Sequence, residues 1–313
     1  MTDVVIPVHN GWELTKTCLE YLREQTLAHS AIVCDNGSAD GTPQQVREVF
    51  PDVHVLELGE NAGFSAACNR GVRAGSGDFV VLLNNDVSVR PDFLERLLAP
   101  FERDERLGSA AALLVSDSGK VESFGLAVDA TLAGYPRLRG AAPAAVRDVR
   151  SVLCGPSGAA GAFRRSAWED VGGLDERVFA YGEDVDLALR LRSAGWRTAE
   201  VADAVATHAG SATAVARSSW QRYQAGFSRG HFLRRYGVLR GRTAVRTLVT
   251  EAVVVAGDAI VFSHDLAALR GRIAGWRAAA GRPQHPPPPA DAIDDTITFA
   301  ESLRLRRKIY SCT

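Results

Sequence analysis

Phe79-Val80-Val81-Leu82-Leu83-Asn84-Asn85-Asp86 decides the fold: five apolar residues in a row, then three polar ones ending on an acid. A short continuous apolar run of this kind reads as a strand buried on both faces. The segments before it alternate strand and helix signals. Val4–Val8 is a strand, Trp12–Gln25 has helical spacing through Leu14, Cys18, Tyr21 and Leu22, and Ala31–Cys34 is a second buried strand. Thr42 is placed to cap a helix carrying Val46, Val49 and Phe50, with Pro43 at its first position. Val53–Leu58 is a third strand, Phe64–Ala74 a helix, and Pro91 opens a helix running to about Arg103. Apolar strands alternating with helices imply a parallel sheet covered on both faces. Ligands of such sheets sit beyond the carboxyl ends of the strands. Asp35 and Asp86 each follow a strand, so both are expected in one crevice.

The second half is less regular. Gly108–Val115 is another strand, and Ser116–Arg150 reads as loops and short strands. A flexible loop, Gly155–Gly161, leads into Ala162-Phe163-Arg164-Arg165. Gly182-Glu183-Asp184-Val185-Asp186 then places three carboxylates in four positions, ahead of a helix with Leu187, Leu191 and Ala194 on one face. The helix dipole accounts for part of that crowding, since negative charge is favourable in a first turn. Two more acidic clusters, 35–41 and 84–86, follow apolar runs, and the three together read as one polar site built from distant segments. A short strand near Ala199–Val201 and His208 come next, then long helices over Trp220–Tyr236 and Thr243–Ala280. Gly281–Pro289 breaks the chain before a helix at Ile293–Ile309, with Asp294 and Asp295 at its start and Arg304, Arg306, Arg307 and Lys308 at its end.

Composition excludes several classes. A formal net charge of -1 argues against a general nucleic-acid binder. Five cysteines without a CxxC pair read as reduced, buried thiols of a cytosolic protein. The N-terminus enters a strand at once, so no signal peptide is expected. The most apolar stretch, Leu248–Phe262, is interrupted by Glu251 and Asp258 and should not span a bilayer. Charge is uneven: residues 217–280 hold eleven Arg, no Lys and three acids, a surplus of eight positive charges.

Val4-Val5-Ile6-Pro7-Val8-His9-Asn10, Asp35-Asn36-Gly37-Ser38-Ala39-Asp40-Gly41-Thr42, Asn61-Ala62-Gly63-Phe64, Asn69-Arg70-Gly71, Leu83-Asn84-Asn85-Asp86, and Gly172-Gly173-Leu174-Asp175-Glu176 followed by Gly182-Glu183-Asp184 together resemble the family 2 inverting glycosyltransferases. The similarity is greatest to bacterial rhamnosyl- and galactofuranosyltransferase-type members and spans residues 1–210. It implies a GT-A fold, a Rossmann-like mixed α/β sheet flanked by helices. Residues 1–210 would be the catalytic domain, 211–280 a C-terminal helical extension, and 281–313 a Pro-rich linker with a terminal helix.

The resemblance also implies roles. Asp35 would accept the ring N–H of a uracil or thymine base; the alternative is an Asx-turn aspartate, since Asp-Asn-Gly-Ser is strong turn chemistry. Pro7, His9, Asn10, Asn61, Gly63, Asn69, Asn84 and Asn85 would shape the nucleotide-sugar site, with packing an equal reading for Gly63. Asp86 and His208 would hold a divalent cation, Mg2+ or Mn2+, against the leaving diphosphate. Asn84 stands where the family has a first acid, which removes one charge from that site. Asp184 would be the general base, Glu183 an acceptor-binding or supporting acid, and Asp186 a partner of Arg190. The donor would be dTDP-rhamnose, or a UDP-sugar such as UDP-galactofuranose, and the acceptor a saccharide or polyprenyl-linked glycan. The alternatives are an inactive glycan-binding relative, which should lack Asp86 or Asp184, and a sugar-phosphate nucleotidyltransferase, which needs a basic Gly-rich loop after the first strand. Helices 217–280, with faces such as Leu248, Val255 and Phe262, read either as a packed subdomain or as a peripheral contact with an anionic membrane on the cytoplasmic side.

Overall fold

The computed structural model describes residues 1–209, 218–262 and 264–311. Expectations placed on Gly210, Arg217 and Cys312, and on the side chains of Phe262, Arg307, Lys308 and Ile309, lie outside what is described. The first half alternates as its apolar runs require: β1 (Thr2–Val8), α1 (Trp12–Arg23), β2 (Ser30–Asp35), α2 (Thr42–Val49), β3 (His54–Glu57), α3 (Phe64–Ala74) and β4 (Phe79–Leu83). There follow β5 (Val87–Val89), α4 (Phe93–Leu98), β6 (Leu107–Ser116), β7 (Val121–Ser123), β8 (Leu126–Val128), β9 (Gly134–Pro136), β10 (Ala160–Arg164), α5 (Arg165–Asp170), α6 (Glu183–Ser193) and β11 (Arg197–His208). Helices α7 (Ser219–Arg235), α8 (Ala244–Gly257), α9 (Ala267–Ala278) and α10 (Phe299–Ser311) complete the chain.

The main sheet runs β3-β2-β1-β4-β10-β6-β11-β5, with β7 on β6. Strands β1 to β4 pair in parallel, as the sequence implies. The sheet is mixed because β10 runs antiparallel between β4 and β6, and β5 antiparallel on β11. Since β11 is parallel to β6, the carboxyl ends of β1, β2, β4, β6 and β11 share one edge with the amino ends of β5 and β10. Alternate side chains fill two cores. Ile6, Val33 and Val81 pack with Leu19, Leu22, Phe50 and Leu97 on one face. Val5, Ile32, Val80 and Leu82 pack with Cys68, Val72, Trp168 and Leu191 on the other. Each such side chain contributes about 1.5–3 kcal/mol when fully buried, which fixes which edge carries the polar residues.

The C-terminal helices dock on α6, where Val185, Ala188 and Leu189 meet Phe232, Leu233 and Val238. Helices α7 and α9 touch backbone to backbone. A Cβ at Gly230 would lie 2.0 Å from Arg272 O, and one at Gly275 would lie 1.9 Å from Phe227 O. Among the described residues no helix is long and apolar enough to cross a membrane.

Several boundaries differ from expectation. Gly41, not Thr42, occupies the α2 cap position, and Asp40 Oδ1 accepts from both Thr42 N and Thr42 Oγ1. The helix expected from Pro91 is α4 followed by a 3-10 turn, Ala99–Glu102. The short strand at 199–201 is part of the twelve-residue β11. The single helix expected over Thr243–Ala280 is two, with a π-helical turn at Asp258–Phe262 after the first. The last helix starts at Phe299, not Ile293: Asp294 is buried and spends its carboxylate on Thr296 and on Val152 N. Leu248, on a face read either as packed or as a membrane contact, is 55% exposed.

Candidate active site

Asp35 closes β2 at the carboxyl edge and is buried. Its Oδ2 accepts from Ser38 N at 3.1 Å, while Oδ1 has no partner among the described residues. One oxygen therefore makes the turn and the other is left for a donor from outside. Asn36 ties this loop to the next: its Nδ2 donates to Asn61 Oδ1 at 2.9 Å and its Oδ1 accepts from Ala62 N at 2.8 Å. His9 Nδ1 lies 3.0 Å from Asn36 O. Asn10 N donates to Ser38 Oγ, and Asn10 Oδ1 accepts from Ala39 N. Pro7 lies in β1 opposite Cys34, so segments 7–10, 35–39 and 61–63 form one wall. Gly63 has φ +90°, and a Cβ there would meet Phe179 O at 2.7 Å, so it serves close packing of the α3 entry.

Two expected site residues point elsewhere. Asn69 is buried, donates to Leu174 O and Glu176 Oε1, and accepts from Leu174 N. Its amide therefore latches the 174–176 segment. Asn85 donates to Thr15 Oγ1 of α1 at 3.0 Å. Asn84 keeps to the edge, its N–H donating to Ala159 O.

Asp86 and His208 meet where β5 pairs with the end of β11. His208 Nε2 lies 3.1 Å from Asp86 Oδ1, and Nδ1 lies 2.7 Å from Glu122 Oε2. Burial alone would lower the imidazole, but its hydrogen bonds and charge contacts to Asp86 and Glu122 outweigh that and hold it protonated up to about 10. The donor set fits a divalent cation. A carboxylate oxygen and a ring nitrogen stand 3.1 Å apart and a second carboxylate holds the far nitrogen; a cation bound there would displace the proton that Nε2 now turns to Asp86. Among the described residues no group of three or more metal-ligating side chains forms, so other oxygens, such as diphosphate and water, would complete the shell.

Asp184 and Glu183 open α6. Asp184 Oδ2 accepts from Gly158 N at 3.2 Å and Oδ1 from Val185 N at 2.8 Å. The 158–160 loop thus bridges Asp184 to Asn84 and to the end of β4. Burial, then the charge of Asp184, pushes the Glu183 carboxyl up to about 8. Asp184 is also raised by burial, but its two main-chain donors oppose the rise. The charge of Asp184 raises Glu183 while no charge of Glu183 acts in return, so Asp184 is the first of the pair to lose its proton. Asp186 is spent on Arg190, at 2.8 Å, and on Tyr236.

An edge carrying a buried carboxylate oxygen without a partner among the described residues, an Asp–His pair and two adjacent carboxyls that lose their protons in sequence is the arrangement expected of nucleotide-sugar chemistry. The profile of Glycosyl transferase family 2 matches residues 3–172. The chain is a family 2 glycosyltransferase. The glycosyltransferase is 32% identical over 249 residues to the N-acetylglucosaminyl-diphospho-decaprenol L-rhamnosyltransferase of Mycobacterium tuberculosis, a match covering 66% of this chain and 76% of that one. It is 35% identical over 204 residues to the pre-mycofactocin glycosyltransferase of the same organism, covering 62% and 39%. Its fold matches that of a mannosyltransferase from Pyrobaculum calidifontis solved with GDP-Man and Mn2+, with TM-score 0.55, 21% identity and coverage of 98% and 79%. The enzyme therefore has the GT-A architecture.

Asn36 and Glu122 escaped the sequence reading as site residues. Asn36 stood inside a quoted motif, whereas Glu122 lies in the irregular 116–150 stretch with no local signal. A cavity of about 240 Å³ lies apart from these acids, against α7 and α9, lined by Arg234, Arg240, Trp276 and Arg282. Its arginines serve helix ends, Arg234 donating to Trp276 O and Arg282 to Ala278 O.

Proposed function

We propose that this enzyme transfers a sugar, with inversion, from a nucleoside diphosphate to a saccharide hydroxyl on a polyprenyl-linked glycan. The observation that carries this reading is the order in which the Glu183–Asp184 pair at the carboxyl edge loses its protons, Asp184 first. Inversion needs one ionised base on the acceptor side. Asp184 takes the acceptor hydroxyl proton as that oxygen bonds to the anomeric carbon and the bond to the diphosphate oxygen breaks. Glu183, neutral beside it, adds no second charge to repel the incoming hydroxyl's lone pairs. Asp35 Oδ1 accepts the ring N–H of uracil or thymine. Asp86 and His208 would hold the cation, Mg2+ or Mn2+, which when bound neutralises charge on the departing diphosphate. Likeness to a rhamnosyltransferase favours dTDP-rhamnose, with UDP-galactofuranose or another UDP-sugar second. A decaprenol-linked acceptor in that relative supports a lipid-borne acceptor here, reached at the cytoplasmic face through the basic helices 217–280.

The test is thermal unfolding with dTDP, UDP or GDP, each with Mn2+, Mg2+ or chelator, followed by donor hydrolysis. A pyrimidine nucleoside diphosphate should raise the midpoint only when metal is present. No shift with any nucleotide and metal removes the reading, and a shift with GDP alone removes the base assignment of Asp35.

A further inference from the structure

Helix α8 is inside out. Its buried positions are Thr247, Thr250 and Glu251. Its exposed positions are Val245, Leu248, Val249, Ala252, Val253 and Ala256, all apolar and spaced as one helical stripe. Val245 is 73% exposed, and Ile260 in the following turn continues the stripe at 69%. Scattered apolar residues on a surface need no explanation, but a contiguous aliphatic face does.

The chain around this face carries one sign of charge at its surface. Over residues 238–260, Glu251 is buried against Arg229, Arg272 and Arg306, and Asp258 meets Arg222. In the same stretch Arg240 and Arg242, just before α8, are exposed. An aliphatic stripe flanked by unneutralised arginines complements an anionic lipid surface, where acyl chains take the stripe and head groups take the guanidiniums. A second copy would set the same cations against one another.

We propose that α8 lies in the interface of an anionic bilayer, with Val245, Leu248, Val249 and Val253 entering the acyl boundary and Arg240 and Arg242 at the head groups. This deepens the reading of a lipid-borne acceptor, yet vesicle binding is measured without donor or acceptor and stands or falls separately from catalysis.

The experiment is co-sedimentation of the full chain with vesicles of phosphatidylglycerol and phosphatidylcholine, and with phosphatidylcholine alone, alongside its mass by light scattering. The wild type should pellet with the anionic vesicles and weaken with added salt. The double variant Leu248→Glu, Val253→Glu should bind about tenfold or more weakly, and Arg240→Glu, Arg242→Glu should weaken binding to anionic vesicles specifically. Both variants change exposed positions, and unchanged thermal midpoints would show that they fold. Wild type that stays in solution at low salt overturns the proposal, as does equal binding to neutral vesicles. A wild-type dimer that the Leu248→Glu, Val253→Glu change splits, without vesicle binding, assigns the stripe to a second copy and also overturns it.

Discussion

Asp184→Asn separates chemistry from binding. The carboxylate is held by two main-chain donors, Gly158 N and Val185 N. Asparagine keeps one acceptor oxygen and loses the other, at a cost of about 1.5–3 kcal/mol for a hydrogen bond to a charged group. Removing a buried charge offsets part of that, so the midpoint should move little. The reaction loses its base. Positioned general bases contribute about 10²–10⁴-fold, which corresponds to roughly 3–5.5 kcal/mol on the barrier. The nucleotide wall formed by 7–10, 35–39 and 61–63 makes no described hydrogen bond to Asp184, so nucleoside diphosphate affinity should stay within about twofold, the pattern of an interaction made only in the transition state. Release of nucleoside diphosphate from donor and acceptor gives kcat, and calorimetric titration of the same preparation gives affinity. A kcat within about fivefold of wild type would refute the base assignment, because no group lost from that role leaves so small a trace. Loss of nucleotide affinity equal to the loss of kcat would instead make Asp184 a donor-site residue.

Three further outcomes test other parts of the site. The Glu183 carboxyl titrates near 4.5 in the unfolded chain and up to about 8 when folded, so the native state holds the extra proton and stability falls as pH rises across that window. Glu183→Gln should flatten this slope in unfolding measured from pH about 4.5 to 8, and an unchanged slope would place the titration elsewhere. Glu122→Gln should weaken Mn2+ binding about 10–100-fold, read by Mn2+ paramagnetic resonance without donor, with turnover recovered at saturating metal. Unaltered Mn2+ affinity would reduce Glu122 to a surface acid. Glu251→Gln leaves Arg229, Arg272 and Arg306 without their shared acid and should cost about 3–5 kcal/mol in urea unfolding. Burial opposes the Glu251 charge, but the three arginines hold its carboxyl well below the usual range, so this contribution is present above the unfolded pKa and lost as pH falls into the acid range.

The strand and helix alternation was legible because each buried strand, such as Phe79–Leu83, is apolar on both faces and each helix turns a stripe inward. The acids at 35 and 86 were legible because polar residues at the ends of apolar runs have one edge to occupy, and Asp184 because three carboxylates crowd the start of α6. What stayed hidden depends on partners distant in sequence. Asn69 reads as polar and near a glycine turn, yet its partners are 105 and 107 residues away. Glu122 faces His208 across 86 positions, and only the pairing of β6 with β7 and β11 brings them together.

Helix α8 fails the rule that apolar faces turn inward, and the reason is Glu251. That one carboxylate collects Arg229 from α7, Arg272 from α9 and Arg306 from α10 at 2.7–3.2 Å. Leaving such a charge buried without partners costs several kcal/mol, and three guanidiniums from three helices would be stranded with it. Burying Val245, Leu248, Val249 and Val253 instead would return about 1.5–3 kcal/mol each, against four largely buried charges that would each lose their partners at several kcal/mol apiece. Thr247 and Thr250 add little resistance, since their hydroxyls donate to Thr243 O and Arg246 O within the helix. The rotation of α8 is therefore set by its polar side, and the aliphatic stripe is what that choice leaves outside. Glu251→Ala with Arg229→Ala, Arg272→Ala and Arg306→Ala removes every charge of that cluster and leaves no large side chain to compete for the inner face, so α8 should be free to turn its stripe inward and vesicle binding should fall although no outward residue has changed. Undiminished binding by that folded variant would mean that some element other than the buried acid holds the stripe outward.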